Sequence, residues 1–226
     1  MTLPVAFAAL LAGVVVWALL VRRLTAKPWE AQGSGEDVPV SGETGPPPAR
    51  IGLWTFLAVV TSLFGLFISA YYMRMEHSHG DWSPMSIPRV LWLNTAMLIL
   101  SSVCMQLARG AVRRAQVVLL RLGLVAGGVL ALAFLSGQLL AWHQLNVAGY
   151  FMTSNPAAAF FYLLTAVHGL HLLGGLIVWS KTVARMLQPA VEPIDLRLSV
   201  ELCTVYWHYL LLVWLVLFAV LLSTSA

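Results

Sequence analysis

Six long apolar stretches, separated by shorter polar segments, dominate the pattern of the chain. A bilayer has a hydrocarbon core about 30 Å thick, and an α-helix rises about 1.5 Å per residue, so about 20 apolar residues cross it. Each of the six stretches is long enough to do so. The pattern predicts six transmembrane helices, at Leu3–Val21, Ile51–Met73, Val90–Ala108, Val117–Trp142, Ala157–Ser180 and Ser199–Ser223.

The longest polar segment, "KPWEAQGSGEDVPVSGETGPPPAR", lies between the first and second apolar stretches. It is rich in Pro, Gly and acidic residues, a composition that cannot bury enough apolar surface to become ordered. We therefore expect three parts: an N-terminal transmembrane helix (1–26), a flexible cytoplasmic linker (27–50) and a five-helix bundle (51–226). The predicted fold class is an all-α integral membrane helix bundle.

Composition agrees with this membrane interpretation. Of the 226 residues, 60% are hydrophobic and only 10% are charged, whereas soluble domains carry about 25% charged residues. The two cysteines, Cys104 and Cys203, both lie inside apolar stretches. Two such residues can build neither a disulfide framework nor a zinc cluster, so they are interpreted as small buried apolar side chains.

The distribution of positive charge predicts the orientation of the helices. Eleven of the thirteen Lys and Arg residues lie in or beside three segments, 22–50, 109–121 and 181–198, and only Arg74 and Arg89 lie on the opposite side. The positive-inside rule makes loops 22–50, 109–116 and 181–198 cytoplasmic and both termini periplasmic in a bacterial plasma membrane. Because topology explains the basic residues, the net charge of +4 does not indicate a nucleic-acid partner.

Two histidines interrupt the fifth apolar stretch, "FFYLLTAVHGLHLLGGL". His168 and His171 lie about one helical turn apart on one face. A haem needs axial ligands on opposite sides of the iron, which this spacing cannot supply. A copper or zinc site that also uses His208 stays open, although no fourth ligand is evident. Interhelical hydrogen bonding or contact with a lipid head group is the favoured interpretation.

The sixth stretch carries a carboxylate, Glu201, near its cytoplasmic end. Ionisable groups inside membrane spans are costly, so this residue is a functional candidate. Arg197, one turn earlier, is the expected ion-pair partner. A proton relay is the alternative, but relays need a chain of such groups. The aromatic pair Tyr206–Trp207 is expected at a membrane interface or in helix packing.

Five segments, taken together and in order, resemble subunit III of the haem–copper oxidases. They are "IGLWTFLAVVTSLFGLFISAYY", "PRVLWLNTAMLILSSV", "GQLLAWHQL", "FFYLLTAVHGLHLLGGL" and "VELCTVYWHYLLLVWLVLF". The resemblance covers about 51–222, the whole predicted five-helix bundle. It includes the subunit III proteins of cytochrome c oxidases and of the related quinol oxidases.

The resemblance implies a subunit without a catalytic centre. Such a subunit carries no haem or copper, packs against subunit I, binds phospholipid, and supports proton uptake and the durability of the catalytic subunit. We therefore expect no catalytic, cofactor or metal residues in this chain, and haem and copper in the partner subunits. The expected partners are oxidase subunits I and II, phospholipids, and cytochrome c or quinol as electron donor. Candidate lipid or subunit contacts are His168, His171, Glu201, Tyr206, Trp207 and His208.

Two departures from the family pattern affect the expected function. Val60 and Leu211 occupy positions at which relatives often carry an acidic residue. Both changes weaken the expectation of a proton-linked role. Two alternatives stay open: subunit III of a quinol oxidase or an accessory subunit of a nitric oxide reductase, and a self-contained membrane metalloprotein using His168, His171 and His208.

Overall fold

Five helices account for nearly all of the described chain. The computed structural model describes residues 48–224 except 79, 83, 84, 86, 154 and 189–192. The helices are α1 (Pro48–Glu76), α2 (Val90–Arg113), α3 (Val117–Val147), α4 (Pro156–Met186) and α5 (Pro193–Thr224). All five contain segments long and apolar enough to cross a membrane. The prediction of an all-α membrane bundle is thus confirmed for this part of the chain.

The first predicted helix, Leu3–Val21, and residues 27–47 of the predicted linker lie outside the described residues. The helix α1 begins at Pro48, three residues before the apolar stretch itself. The chain divides into two compact units at the Leu63–Phe64 bond, within α1. The first unit contributes the helical segment 48–63 to the described structure, and the second contains the rest of α1 and α2–α5.

Local chemistry explains where the helices of the second unit start and stop. Pro156 begins α4 behind Asn155, whose side chain accepts a hydrogen bond from the Ala158 backbone N–H at 2.8 Å. This is an N-cap with proline at the first helical position. After α3, Gly149 adopts φ 86°, and the Tyr150 N–H returns to the Leu145 carbonyl at 2.9 Å. A left-handed glycine of this kind ends a helix and turns the chain.

Within the second unit, α2 packs against α3 and α5, and α4 packs against α5 and α3. The interior is aromatic: Trp207, Trp214, Phe134 and Phe161 are fully buried. Large apolar side chains such as Leu66, Leu122 and Leu170 are instead exposed. In a membrane-spanning bundle these outward apolar side chains face hydrocarbon.

Candidate functional site

The side chain of His168 lies inside the bundle. It is completely buried, and its Nε2–H donates to the Leu210 carbonyl of α5 at 3.1 Å. Its ring packs against Phe134 and Trp214, with centroids 5.6 and 5.2 Å away. The other ring nitrogen, Nδ1, has no partner among the described residues. His168 therefore joins α4 to α5 from the interior.

One turn further along α4, His171 is half-buried and makes local contacts. Its Nδ1 lies 2.7 Å from the Val167 carbonyl of the same helix, and its ring packs against Phe64. The Tyr206 hydroxyl of α5 donates to the His171 carbonyl at 2.9 Å. The two predicted site residues His171 and Tyr206 thus meet at the α4–α5 contact.

Close approach of the backbones shapes the same contact. A Cβ added to Gly175 would lie 2.7 Å from Cε1 of Tyr206, which is closer than non-bonded carbons approach. Gly174, by contrast, faces open space. Small residues at helix contacts let membrane helices pack closely. Only one glycine of the pair therefore serves the α4–α5 contact.

Trp207 faces in the other direction, towards α2. Its indole N–H donates to the Ser101 hydroxyl at 2.9 Å, and that hydroxyl donates to the Gly127 carbonyl of α3 at 2.6 Å. A second tryptophan, Trp214, donates to the hydroxyl of Thr95 at 2.9 Å. These bonds tie α5 to α2 and α3 through the centre of the bundle.

His208 also faces α2. The Ser102 hydroxyl bonds to its Nδ1, and its Nε2 lies 3.1 Å from the side-chain oxygen of Gln106. With that oxygen as the acceptor, Nε2 carries the hydrogen and Ser102 is the donor to Nδ1. His208 is half-buried, and Gln106 is exposed on the outer surface of the bundle.

Glu201 is held by an arginine that the sequence did not single out. Its Oε1 lies 2.5 Å from Nη2 and 3.2 Å from Nε of Arg113, whereas the predicted partner Arg197 is 3.9 Å away. The Glu201 side chain is only 8% exposed, and that of Arg113 is 46% exposed. The close pair joins α5 to the C-terminal end of α2, and its members are 88 residues apart in the chain.

The six predicted contact residues thus fall into two groups. His168, His171 and Tyr206 lie between α4 and α5, whereas Glu201, Trp207 and His208 bond to α2. The three candidate metal ligands do not share a site, because His168 and His208 direct their nitrogens to different helices. Within the described ranges no three His, Cys, Asp or Glu side chains come together as a metal site.

Three polar residues of the described chain with buried, unpartnered atoms were not predicted as candidates from the sequence. Asn94 and Gln138 are buried, with neither amide atom bonded among the described residues. The Nε atom of Arg109 is buried and likewise has no partner in the part of the chain that the structure describes. A polar residue within an apolar stretch was the available signal for Asn94 and Gln138, whereas Arg109 was attributed to topology alone.

Five membrane-length helices, with hydrogen bonds and a partly buried ion pair between them, define a multi-pass α-helical membrane protein. Residues 48–225 match the family model described as "Cytochrome c oxidase subunit III". The chain belongs to the cytochrome c oxidase subunit III family, and it is a non-catalytic subunit of a cytochrome c oxidase complex. The resemblance noted in the sequence is therefore confirmed.

Relatives cover most of the chain. A cytochrome c oxidase subunit 3 from Synechocystis sp. is 28% identical over 88% of this chain and 88% of its own length. The cytochrome c oxidase subunit 3 of Thermostichus vulcanus is 28% identical over 76% of this chain and 85% of its own. A protein named "Heme-copper oxidase subunit I+III" from Aeropyrum pernix is 24% identical over 75% of this chain and 22% of its own.

Proposed function

We propose that this chain is the subunit III of a proton-pumping haem–copper oxidase that transfers electrons from cytochrome c to O₂. In this role it binds phospholipid, stabilises subunit I and supports proton uptake, while haem and copper reside in the partner subunits. The observation that carries the proposal is the family match, which spans all five described helices. The names of the relatives favour cytochrome c over quinol as the donor.

Association with subunit I is supported by the Aeropyrum pernix relative, whose name places subunits I and III in one protein. A single chain of that kind keeps the two units together permanently. In the present chain the same association would be non-covalent. Stabilisation of subunit I then follows from van der Waals packing and hydrogen bonds between membrane helices.

Binding of phospholipid is supported by an open groove at the outer ends of α1 and α4. It has a volume of about 540 Å³ and is lined by Ala70, Met73, Arg74, His77, Pro156, Ala159 and Phe160. Its walls are mainly apolar, as an acyl chain requires, and they include Arg74 and His77. Arg74 is also paired with Asp81, so a phosphate would share this arginine with the carboxylate.

A contribution to proton uptake would rest on Glu201 rather than on the positions that relatives use. Val60 and Leu211 are apolar and can neither bind nor release a proton. Glu201 is buried and paired with Arg113 at the end of the bundle that the positive-inside rule makes cytoplasmic. The electrostatic field of this ion pair would influence protons that enter subunit I. The pair would not itself form a proton relay.

The test is purification of the oxidase through a tag on this chain. We expect subunits I and II in the eluate, with the haem and copper signals assigned to them. The chain separated from its partners should be colourless and contain no stoichiometric metal. Recovery of the chain without oxidase subunits, or about one haem, copper or zinc per isolated chain after stringent washing, would contradict the proposal.

A further inference from the structure

Exposed polar side chains on the membrane-facing surface are of two kinds. Most bond to their own helix: the Ser136 hydroxyl donates to the Leu132 carbonyl at 3.0 Å, and Ser180 donates to Ile177 at 2.8 Å. These hydroxyls need nothing from outside the chain. Gln106 differs, because only its side-chain oxygen is used, by His208. Its two amide N–H groups point to no acceptor among the described residues.

Arg109 lies about one turn from Gln106 on α2, and it too has an N–H group without a hydrogen-bond acceptor in the described structure. Its Nε is buried without a partner in the described part of the chain, and the carboxylate of Glu201 is taken by Arg113 and Arg197. A guanidinium carries five N–H donors and no acceptor. Gln106 and Arg109, which we name the donor stripe, therefore present N–H groups with no acceptor among the residues that the structure describes.

The depth of the donor stripe restricts what can supply acceptors. At about 1.5 Å per residue, Gln106 lies about 10 Å along α2 from Arg113 at the inner end, and Arg109 lies about 6 Å from it. Arg109 could extend its side chain towards the head groups. Gln106 is too short for this and sits among acyl chains, which offer no hydrogen-bond acceptor.

We propose that the donor stripe docks a transmembrane helix of a partner oxidase subunit, which presents a carboxylate or free carbonyl oxygens at this depth. A second copy of the chain does not fit, because a symmetric contact would place Arg109 against Arg109 and donors against donors. A phospholipid phosphate could satisfy Arg109 but not Gln106. The assignment rests on the proposed function, because it requires the chain to reside in the oxidase.

The network behind the stripe explains why it is fixed in place. Ser102 bonds to His208, and His208 bonds to the oxygen of Gln106, so the amide N–H groups of Gln106 are left for another acceptor. A glutamine free to rotate could turn its amide nitrogen to a carbonyl of its own helix. The contact with α5 holds it in an orientation suited to an external acceptor.

The first test uses the intact oxidase purified through a tag on subunit I. Gln106→Leu and Arg109→Gln should each lower the amount of this chain retained after a detergent wash by about tenfold. Ser136→Leu and Arg114→Gln are the matched controls, an exposed hydroxyl bonded to its own helix and an exposed arginine beyond α2. Both should be retained like the wild type. Immunoblotting of membranes before extraction checks that every variant accumulates.

A second test does not depend on stability. A photoreactive benzoylphenylalanine at position 106 should crosslink to an oxidase subunit in membranes, and the same group at position 136 should not. Adducts from position 106 only to lipid, or to a second copy of the chain, would overturn the inference. Retention of Gln106→Leu and Arg109→Gln at the level of the control variants would also overturn it. If the wild-type chain itself fails to associate with oxidase subunits, the proposed function fails first.

Discussion

At the scale of single residues, several buried polar groups of the bundle are satisfied by bonds across helix contacts. His168 shows this best, since it is completely buried and its Nε2–H reaches the Leu210 carbonyl. An unsatisfied polar group in a membrane interior costs several kcal/mol. One ring nitrogen of His168 and one of His171 bond to backbone carbonyls, whereas Nδ1 of His168 has no partner among the described residues.

We predict that His168→Leu has a small effect. Interhelical hydrogen bonds in membranes contribute about 0.6 kcal/mol on average, and the substitution also removes the unbonded Nδ1. The initial oxidase rate and the haem and copper spectra should be unchanged, while rate lost during turnover increases modestly. Initial rate, rate decay and spectra of the whole complex check this. Loss of the metal signals together with the rate would show that His168 is a ligand.

The ion pair of Glu201 should respond asymmetrically to substitution. Arg113→Gln removes the nearer arginine from a buried carboxylate and leaves Arg197 at 3.9 Å, whereas Glu201→Gln leaves an arginine that is 46% exposed and can be solvated. Breaking a fully buried pair costs about 3–5 kcal/mol. Solvent screening of the exposed arginine reduces this to about 1–2 kcal/mol for Arg113→Gln, and to less for Glu201→Gln.

Thermal unfolding of the purified complex in detergent measures both effects. We expect the midpoint to fall more for Arg113→Gln, and the double variant to be no less stable than Arg113→Gln alone. Equal shifts for the two single variants would mean that burial does not decide the energetics of this pair.

At the scale of helices, small residues determine which faces meet. Gly175 contacts the Tyr206 ring on α5, whereas its neighbour Gly174 points to open space. The two glycines are adjacent in sequence and differ by about 100° around the helix. The direction in which each glycine points from α4, and not its residue type, therefore decides whether it takes part in the helix contact.

We predict that Gly175→Ala separates α4 from α5 and Gly174→Ala does not. The added methyl group would press on the tyrosine ring, and overpacking of this kind costs about 1–3 kcal/mol. Gly174→Ala should be neutral or slightly stabilising, because alanine favours helix. Thermal unfolding of the two variants provides the comparison, and a similar loss in both would contradict the assigned contact.

At the scale of the whole molecule, orientation follows from charge. The α2–α3 turn carries arginines on both sides, whereas residues 143–156, from the end of α3 to the start of α4, carry no formal charge. The positive-inside rule makes the first turn cytoplasmic and the second periplasmic. We propose this topology for the five described helices.

Cysteine labelling tests the orientation. A membrane-impermeant maleimide should label Ala148→Cys in right-side-out vesicles and Gln116→Cys only in inverted vesicles, because the reagent cannot cross the bilayer. The native Cys104 and Cys203 lie inside helices, and the unsubstituted chain provides their background. Labelling with the opposite sidedness would reverse the proposed topology.

The sequence by itself determined the five described helices and their membrane character, because length and apolarity are local properties. Predicted starts at Val90 and Val117 agree with the structure, whereas α3 continues to Val147, beyond the predicted end at Trp142. Helices continue past the apolar stretch because backbone hydrogen bonding does not stop at the hydrocarbon boundary.

Only the tertiary structure decided which polar groups meet. Glu201 pairs closely with Arg113 instead of depending on Arg197, and His208 bonds to α2 while His168 bonds within the α4–α5 contact. Spacing along one helix reveals neighbours on that helix alone. Partners on other helices depend on the register in which whole helices pack, and that register is set by many side chains together, from the aromatic interior to Gly175.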